Sequence, residues 1–267
     1  MVFKLRRVGE RGSFEDKLYS YKGAPQNGII DSFPKGITEI VGFAFQDCEN
    51  LISITIPEGC KSLDWEGVFY GCTSLQTVHL PSTLQRIGDD MFRDCTSLKE
   101  ITIPDNVEYI GVGAFNGCKQ LTRIELPNKI KTVSAFAFSQ CHNLEEIVLS
   151  DNIEEIEGGA FQVCKSLKEL NLPKNIKKIG DCIIINTQIQ SVVLPKSIEE
   201  LNGFAFYRAN ALKEIYYCGS GQDWSKIQFY DGTELNTTAT IYFYSETEPT
   251  TEGNYWHYDE NGEVVIW

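Results

Sequence analysis

Five of the nine cysteines recur at a fixed interval and are the residues best suited to metal or redox chemistry. Cys72, Cys95, Cys118, Cys141 and Cys164 lie 23 residues apart. Thiolates bind soft metals and exchange disulfides, but structural metal sites use closely spaced pairs such as C-x-x-C. The sequence has no C-x-x-C, and its three histidines are widely separated. The regular interval therefore favours a structural repeat in which each thiol fills a small apolar slot.

The same local pattern surrounds each of these cysteines. A phenylalanine stands three residues before it and a leucine three after, followed by apolar residues six and eight after and usually a proline nine after. Around Cys118 these residues are Phe115, Leu121, Ile124, Leu126 and Pro127. The pattern extends upstream to Cys48 and downstream to two further units, where Asn186 and Ala209 are predicted to take the cysteine position. Chance does not produce so many coincident positions, so the chain is a repeat protein of about eight units.

The periodicity of each unit indicates the elements that must position the cysteines. Apolar residues two apart predict a short strand with one buried face. A second apolar pair follows, such as Val107 and Ile110, and then a stretch such as GVGAFNGC that suits a single tight or helical turn. One unit cannot bury these residues alone, whereas stacked units can, with their strands paired in parallel. The sequence therefore predicts a β-rich solenoid.

The full repeat resembles the BspA-type (Treponema pallidum-type) leucine-rich repeat. Residues 98–118 read L-x-x-I-x-I-P-x-x-V-x-x-I-G-x-x-A-F-x-x-C. The resemblance implies an α/β leucine-rich-repeat right-handed solenoid of about eight 23-residue coils, with short parallel strands and single helical turns. We predict the solenoid over residues 37–218, an N-terminal cap with a hairpin over 1–36, and an aromatic, acidic C-terminal β cap over 219–267.

A second surface of the predicted solenoid carries charges that alternate in sign from coil to coil. Between the paired apolar residues lie Lys131 and Thr132, Glu154 and Glu155, Lys177 and Lys178, and Glu199 and Glu200. Opposite charges on neighbouring strands attract, whereas like charges repel. We interpret this pattern as support for the stacking register.

The residues five and seven positions after each cysteine point outward from the predicted strands and form a candidate binding surface. The resemblance implies that this concave face binds a protein partner; an ordinary solvated sheet face is the alternative. The candidate residues are Thr77, His79, Glu100, Thr102, Arg123, Glu125, Glu146, Val148, Glu169, Asn171, Glu214 and Tyr216.

The C-terminal segment carries a second candidate surface. It contains nine acidic residues against one lysine and is rich in aromatic residues, including Trp224 and Trp256. Alternating runs predict strands at 240–244 and 254–258, and Asn261-Gly262 predicts a hairpin turn leading into 263–267. These aromatics either cap the solenoid or, as the alternative function, bind carbohydrate or cell wall.

Composition and motifs exclude several other functions. A chain of 267 residues with a net charge of −13 repels the phosphate backbone, so no nucleic-acid partner is expected. No phosphate loop, nucleophile elbow or zinc-protease motif occurs, so we expect neither an enzyme nor a cofactor. No apolar run is long enough for a membrane span. The start of the chain lacks the apolar core of a secretory signal. The resemblance nevertheless suggests an extracellular or cell-surface protein with an adhesin-like role that binds a host matrix protein. We expect a monomer.

Overall fold

The computed structural model describes the backbone of residues 2–8, 15–22 and 26, and the complete residues 27–63, 66–230 and 234–267. The chain forms a β-solenoid of about 9 turns with mostly parallel strands and almost no helix. This architecture confirms the predicted fold class.

Most strands are only two to five residues long because each coil contributes one short strand to each of two sheets. In chain order they are β1 (Val2–Val8), β2 (Glu15–Lys22), β3 (Ile29–Ile30), β4 (Ile37–Ile40), β5 (Ser53–Thr55), β6 (Ser62–Leu63), β7 (Thr77–His79), β8 (Arg86–Ile87), β9 (Tyr109–Ile110), β10 (Arg123–Glu125), β11 (Thr132–Val133), β12 (Glu146–Val148), β13 (Glu155–Ile156), β14 (Lys178–Ile179), β15 (Ser191–Leu194), β16 (Glu200–Asn202), β17 (Glu214–Tyr217), β18 (Gln228–Tyr230), β19 (Thr240–Tyr244), β20 (Tyr255–Tyr258) and β21 (Val264–Ile266). A 3-10 helix spans Gln26–Gly28, and the helix α1 spans Gly221–Trp224.

Two surfaces of parallel strands run along the solenoid. The first sheet consists of three groups, β3-β5-β7, β10-β12 and β15-β17-β19-β20-β21. It is interrupted at residues 100–103 and 169–172, where the chain forms no strand. The second sheet runs through β4-β6-β8-β9 and then β11-β13-β14-β16-β18. Equivalent residues pair across coils, as in Ile124 with Ile147 and Ile156 with Ile179, so the register follows the sequence repeat.

The third side of each coil is a series of tight turns, the first of the two forms that the sequence suits, rather than the single helical turn that the resemblance implies. The amide of each residue in the cysteine position bonds to the carbonyl three residues earlier, which in most coils is a phenylalanine, as in Cys118 to Phe115 (3.1 Å). The residues five and one positions before Cys118, Gly113 and Gly117, have φ angles of 62° and 76°. This left-handed backbone ends helical winding and favours glycine. A Cβ at either glycine would also collide with Asp90 or Asp94 of the preceding coil.

A column of phenylalanine side chains forms the centre of the core. Phe45, Phe69, Phe92, Phe115, Phe138 and Phe161 are fully buried. Neighbouring rings are nearly parallel, with centroids between 5.3 and 6.0 Å apart. The apolar residues of both sheets surround this column, so each coil completes the core of its neighbours.

The prediction that Asn186 occupies the cysteine position is wrong. Thr187 is the buried residue there, and its amide bonds to the Ile184 carbonyl as each cysteine amide bonds to a phenylalanine carbonyl. Asn186 is exposed and has a φ of 54°, as Val163 does (63°) one position before Cys164. The shorter step of the repeat therefore falls after Thr187. Ala209 does take the cysteine position, with its amide bonded to the Phe206 carbonyl.

Ion pairs join neighbouring coils along the second sheet, which confirms the predicted charge pattern. Lys131 and Lys177 both contact Glu154, at 3.3 and 2.8 Å, and Lys178 contacts Glu200 at 3.0 Å. The two lysines lower the pKa of the Glu154 carboxyl, Lys177 more strongly than Lys131. These groups are exposed to solvent, so their contribution to stability is small and is screened by salt.

Replacing Glu154 with glutamine is expected to lower the melting temperature slightly at pH 7 and low ionic strength. Because the folded pKa of Glu154 lies below its ordinary value of 4.5, its contribution is present above about pH 4.5 and is lost as the pH falls through the folded value. Differential scanning calorimetry should show the difference disappear at pH 2 and in about 1 M salt, where charges are screened within about 3 Å. Glu145→Gln is the control, because Glu145 is exposed and has no ion pair to a described residue. If Glu154→Gln lowered the melting temperature as much in high salt as in low salt, the ion-pair interpretation would be wrong.

The N-terminal segment forms the predicted hairpin, and the repeat begins earlier than predicted. Strands β1 and β2 pair antiparallel, and β2 pairs in parallel with β4 at the end of the second sheet. Strand β3 already pairs with β5 in the first sheet, so coiling starts at Ile29 rather than at residue 37. The solenoid has about 9 turns where about eight were expected. The predicted cover by apolar side chains of the hairpin lies outside the described residues.

The C-terminal segment continues both sheets before it closes them. Strand β18 adds to the second sheet beside β16, and β19 adds to the first sheet beside β17. Strand β20 follows in parallel, and β21 turns back antiparallel to it after Gly262, whose φ is 81°. The strands predicted at 240–244 and 254–258 and the Asn-Gly hairpin are therefore confirmed. We call β20, β21 and their connecting turn the C-terminal hairpin.

Candidate functional site

The repeated cysteines form a column of hydrogen-bonded thiols inside the solenoid. Each Sγ donates to the phenylalanine carbonyl of the preceding coil at 3.1–3.2 Å; the pairs are Cys72 with Phe45, Cys95 with Phe69, Cys118 with Phe92, Cys141 with Phe115 and Cys164 with Phe138. The thiol thus links neighbouring coils at a position where only a small side chain fits. All nine cysteines are free. Among the described residues, no group of histidine, cysteine and carboxylate side chains is arranged to hold a metal ion.

Burial makes these thiols poor nucleophiles. Desolvation raises the pKa of Cys72 and Cys164 to about 12, and that of Cys95, Cys118 and Cys141 well above 9.0. The thiolate is the reactive form, so these side chains stay protonated and inert at neutral pH. The column is therefore structural, and the functional surface must be sought outside the core.

Alkylation of the native protein at pH 8 is expected to spare the six fully buried thiols, which are Cys60, Cys72, Cys95, Cys118, Cys141 and Cys164. After denaturation without reductant, all nine cysteines should react, because none is held in a disulfide. Intact-mass analysis with iodoacetamide counts the modified residues in both states. Fewer than nine adducts in the denatured, unreduced protein would contradict the hydrogen-bonded column.

The outward positions of the first sheet form a polar surface that we call the strand face. Four successive coils contribute the outward residues from Thr77 to Val148, and all of them except Val148 are exposed. The exposed residues are Thr77, His79, Glu100, Thr102, Arg123, Glu125 and Glu146, whereas Val148 is half-buried. Glu169 and Asn171 of the next coil are also exposed. Inward residues between them, such as Val78 and Ile124, are buried, which confirms the predicted alternation.

Arg123 lies in the centre of the strand face between two carboxylates. Its Nε donates to Glu146 Oε2 at 3.0 Å across the coil boundary, and its Nη2 donates to Glu125 Oε2 at 3.1 Å on its own strand. The hydrogen bonds to Glu125 and Glu146 raise the pKa of Arg123 further, so it is always charged. The result is a fixed cation between two anions, and all three side chains remain more than half exposed.

The last two candidate residues do not belong to the exposed surface. Tyr216 points outward from its strand but is only 6% exposed, since Tyr242 and Trp256 pack against it with ring centroids at 5.3 and 5.6 Å. Its hydroxyl donates to Glu214 at 2.8 Å, and Glu214 is half-buried. The prediction that Tyr216 is available to a partner is therefore wrong, because a later strand covers it.

The two tryptophans proposed as a carbohydrate platform are packing residues. Trp256 is fully buried, and its Nε1 donates to the Tyr217 carbonyl at 2.9 Å. Trp224 is half-buried among Tyr217, Phe229 and Phe243. The exposed rings among the described residues of the segment are instead Tyr230, Tyr258 and Trp267. These contacts support the cap, and full burial excludes the Trp256 ring from binding a sugar.

The C-terminal hairpin borders a cleft over the strand face. The cleft has a volume of about 1120 Å³, with Glu169, Asn171, Ser191 and Val193 among the residues on its sheet side and Tyr258, Glu263 and Val264 on its hairpin side. The strand face and the aromatic segment, which the sequence suggests as separate surfaces, thus meet at one place. No signal in the sequence indicates that residues 262–264 lie near residues 169–171.

Stacked coils, a buried thiol column and an open polar strand face define the class of leucine-rich-repeat solenoids. The chain belongs to the family described as BspA type Leucine rich repeat region, which matches it in six copies over residues 26–145, 86–213 and 131–242. This class supports an interaction or repeat module in general terms. No curated protein matches the sequence.

Two solved structures share the fold. A leucine-rich repeat protein from Bacteroides ovatus is 24% identical with a TM-score of 0.65, and the match covers 90% of this chain and 69% of that one. The leucine rich repeat protein of T. pallidum is 27% identical with a TM-score of 0.62, and the match covers 69% of this chain and 86% of that one. Within the described residues, no helix is long and apolar enough to cross a bilayer.

Proposed function

We propose that the protein is a non-enzymatic, adhesin-like module that binds a host matrix protein through its strand face. The observation that carries this proposal is the run of exposed outward side chains from Thr77 to Glu146, which spans four successive coils without a covering element among the described residues. A surface of this kind is wide and regular, and suits another protein better than a small molecule, which needs a concave pocket.

The charge arrangement on the strand face suggests how a partner is selected. Glu125 and Glu146 together outweigh the single positive charge of Arg123, so this cluster of three side chains carries a net negative charge. A partner with exposed lysines or arginines would replace these internal contacts by its own. Charged groups that stay at the rim of an interface act mainly on association rate and specificity, and their effect falls with salt.

The proposal is tested by surface plasmon resonance with immobilised fibronectin and fibrinogen. Wild-type protein is expected to bind at least one of them, with affinity that falls as salt rises. Arg123→Glu replaces the cation of this cluster with a third carboxylate, so it is expected to raise the affinity for such a basic partner several-fold at low salt. Lys177→Glu is the matched control because it reverses a comparably exposed, ion-paired cation on the second sheet.

Binding to neither matrix protein would overturn the adhesin-like function. Equal effects of Arg123→Glu and Lys177→Glu would place the interface elsewhere than the strand face. Circular dichroism of both variants must match the wild type, so that a change in binding reports the surface and not the fold.

A further inference from the structure

The cleft beside the C-terminal hairpin has a lining that differs from the rest of the strand face. Four neutral polar side chains lie together there: Asn171, Gln188, Gln190 and Ser191. An amide carries two donors and an acceptor, and a hydroxyl carries one donor and accepts as well. The side chains of Asn171, Gln188 and Ser191 make no hydrogen bond to the side chain of another described residue. Their donors and acceptors are therefore available to a ligand.

The charges at the edge of the cleft are largely neutralised within the protein. Lys174 contacts Asp151 at 2.7 Å, and Lys196 contacts Asp223 at 3.0 Å. The remaining charged lining residues, Lys168, Glu169 and Glu263, carry both signs. The cleft therefore offers no concentrated charge that would select an anionic or a cationic ligand.

One aromatic ring forms a fixed wall of the cleft. Tyr258 is 44% exposed, but its ring is held edge-on against Trp256 with centroids 4.7 Å apart. Burial, together with the nearby Cys218 thiol, raises the Tyr258 pKa to about 12, so the hydroxyl stays protonated at neutral pH. An anchored, neutral, half-exposed ring presents an apolar face beside polar groups, which is the combination that an amphipathic ligand requires.

We propose that this cleft binds a neutral oligosaccharide. Neighbouring sugar hydroxyls each donate and accept, which matches the amide and hydroxyl side chains, and the C–H face of a sugar ring packs against Tyr258. The volume of about 1120 Å³ exceeds the pockets of roughly 300–1,000 Å³ that hold single small molecules, so a chain of several sugars fits best. An extended peptide is less suited, because a peptide needs apolar pockets for its anchors and Val193 and Val264 are only half-buried side chains on opposite walls.

This site is separate from the part of the strand face that carries the proposed protein interface. The protein interface uses outward residues from Thr77 to Glu146, whereas the cleft begins at Lys168 and is closed by residues from the C-terminal hairpin. Either function can therefore fail without the other.

The test is isothermal titration with defined hexasaccharides: maltohexaose, cellohexaose, xylohexaose and chitohexaose, with a heparin hexasaccharide as the acidic comparison. At least one neutral chain is expected to bind and the acidic one is not. Tyr258→Ala and Asn171→Ala should each weaken binding by about tenfold, a loss of about 1.4 kcal/mol. Tyr258→Phe, which keeps the ring, should retain binding. Tyr207→Ala is the control. Tyr207 is likewise an exposed tyrosine, but its ring packs against Phe204 and it does not line the cleft.

Three results would overturn the proposal. They are the absence of binding to all four neutral chains, preference for the heparin hexasaccharide, and equal affinities of the wild type and Tyr258→Ala. Unchanged melting temperatures of the Asn171 and Tyr207 variants establish that the fold is intact.

Discussion

Replacing Phe115 with alanine is expected to lower the free energy of unfolding by about 3–5 kcal/mol, which is the usual range for deleting a buried aromatic ring. Phe115 is fully buried, and its ring stacks on Phe92 at 5.3 Å and on Phe138 at 5.5 Å. The substitution therefore removes contacts on both sides and leaves a cavity in the middle of the column. Urea unfolding followed by far-UV circular dichroism measures the loss.

Phe204→Ala is the control for the Phe115 variant. Phe204 is 38% exposed and makes an edge contact with Tyr207, so its removal should cost less than about 1 kcal/mol. Equal losses in the two variants would show that the phenylalanine column is not the stabilising core.

Replacing Trp256 with alanine is expected to detach the C-terminal hairpin and to lower stability by about 3–5 kcal/mol. The indole is fully buried, donates to the Tyr217 carbonyl at 2.9 Å, and contacts the rings of Tyr216 and Tyr258. Without it, Tyr216 loses its cover and the hairpin loses its main attachment to the solenoid. Limited proteolysis should then cleave between residues 245 and 267 at a protease concentration that spares the wild type.

Trp256→Phe separates packing from hydrogen bonding at this position. Phenylalanine keeps most of the buried ring but leaves the Tyr217 carbonyl without its indole donor, so a smaller loss of about 1–3 kcal/mol is expected. Resistance of the alanine variant to cleavage in this segment would mean that other contacts hold the hairpin.

The inward side of the solenoid could be predicted from the sequence because it depends on short-range spacing. Within one unit, Phe115, Cys118, Leu121 and Ile124 all turn inward, and stacking places each of them beside its equivalent 23 residues away. The charge pairs on the second sheet follow from the same register. No long-range information is needed for either.

The turns and the slip in the repeat were less predictable. Glycine, alanine and asparagine in GVGAFNGC are compatible with a helical turn and with tight turns alike. The left-handed positions carry a recognisable signal in only some coils. Gly113, Gly117, Asp90 and Asp94 belong to the types that tolerate positive φ, whereas Phe136 and Val163 at equivalent positions do not. Asn186 and Thr187 are both polar, so the spacing alone could not decide which of them enters the buried slot.

Contacts that join distant parts of the chain could not be predicted. The cover over Tyr216 comes from Trp256, which lies 40 residues later in the sequence. The cleft likewise combines Asn171 with residues of the C-terminal hairpin. Local periodicity predicts that each segment is a strand but does not predict the direction in which the last hairpin folds.

Hydroxyl-radical footprinting in the presence and absence of the bound matrix protein tests the central claim most directly, since it reads the solvent exposure of individual side chains. The strand face predicts reduced oxidation of His79 and Val148 on binding. It also predicts unchanged oxidation of Tyr230 and Tyr207, exposed residues outside the strand face. Protection of Tyr230 or Tyr207 with no change at His79 and Val148 would contradict the claim that the strand face binds the partner.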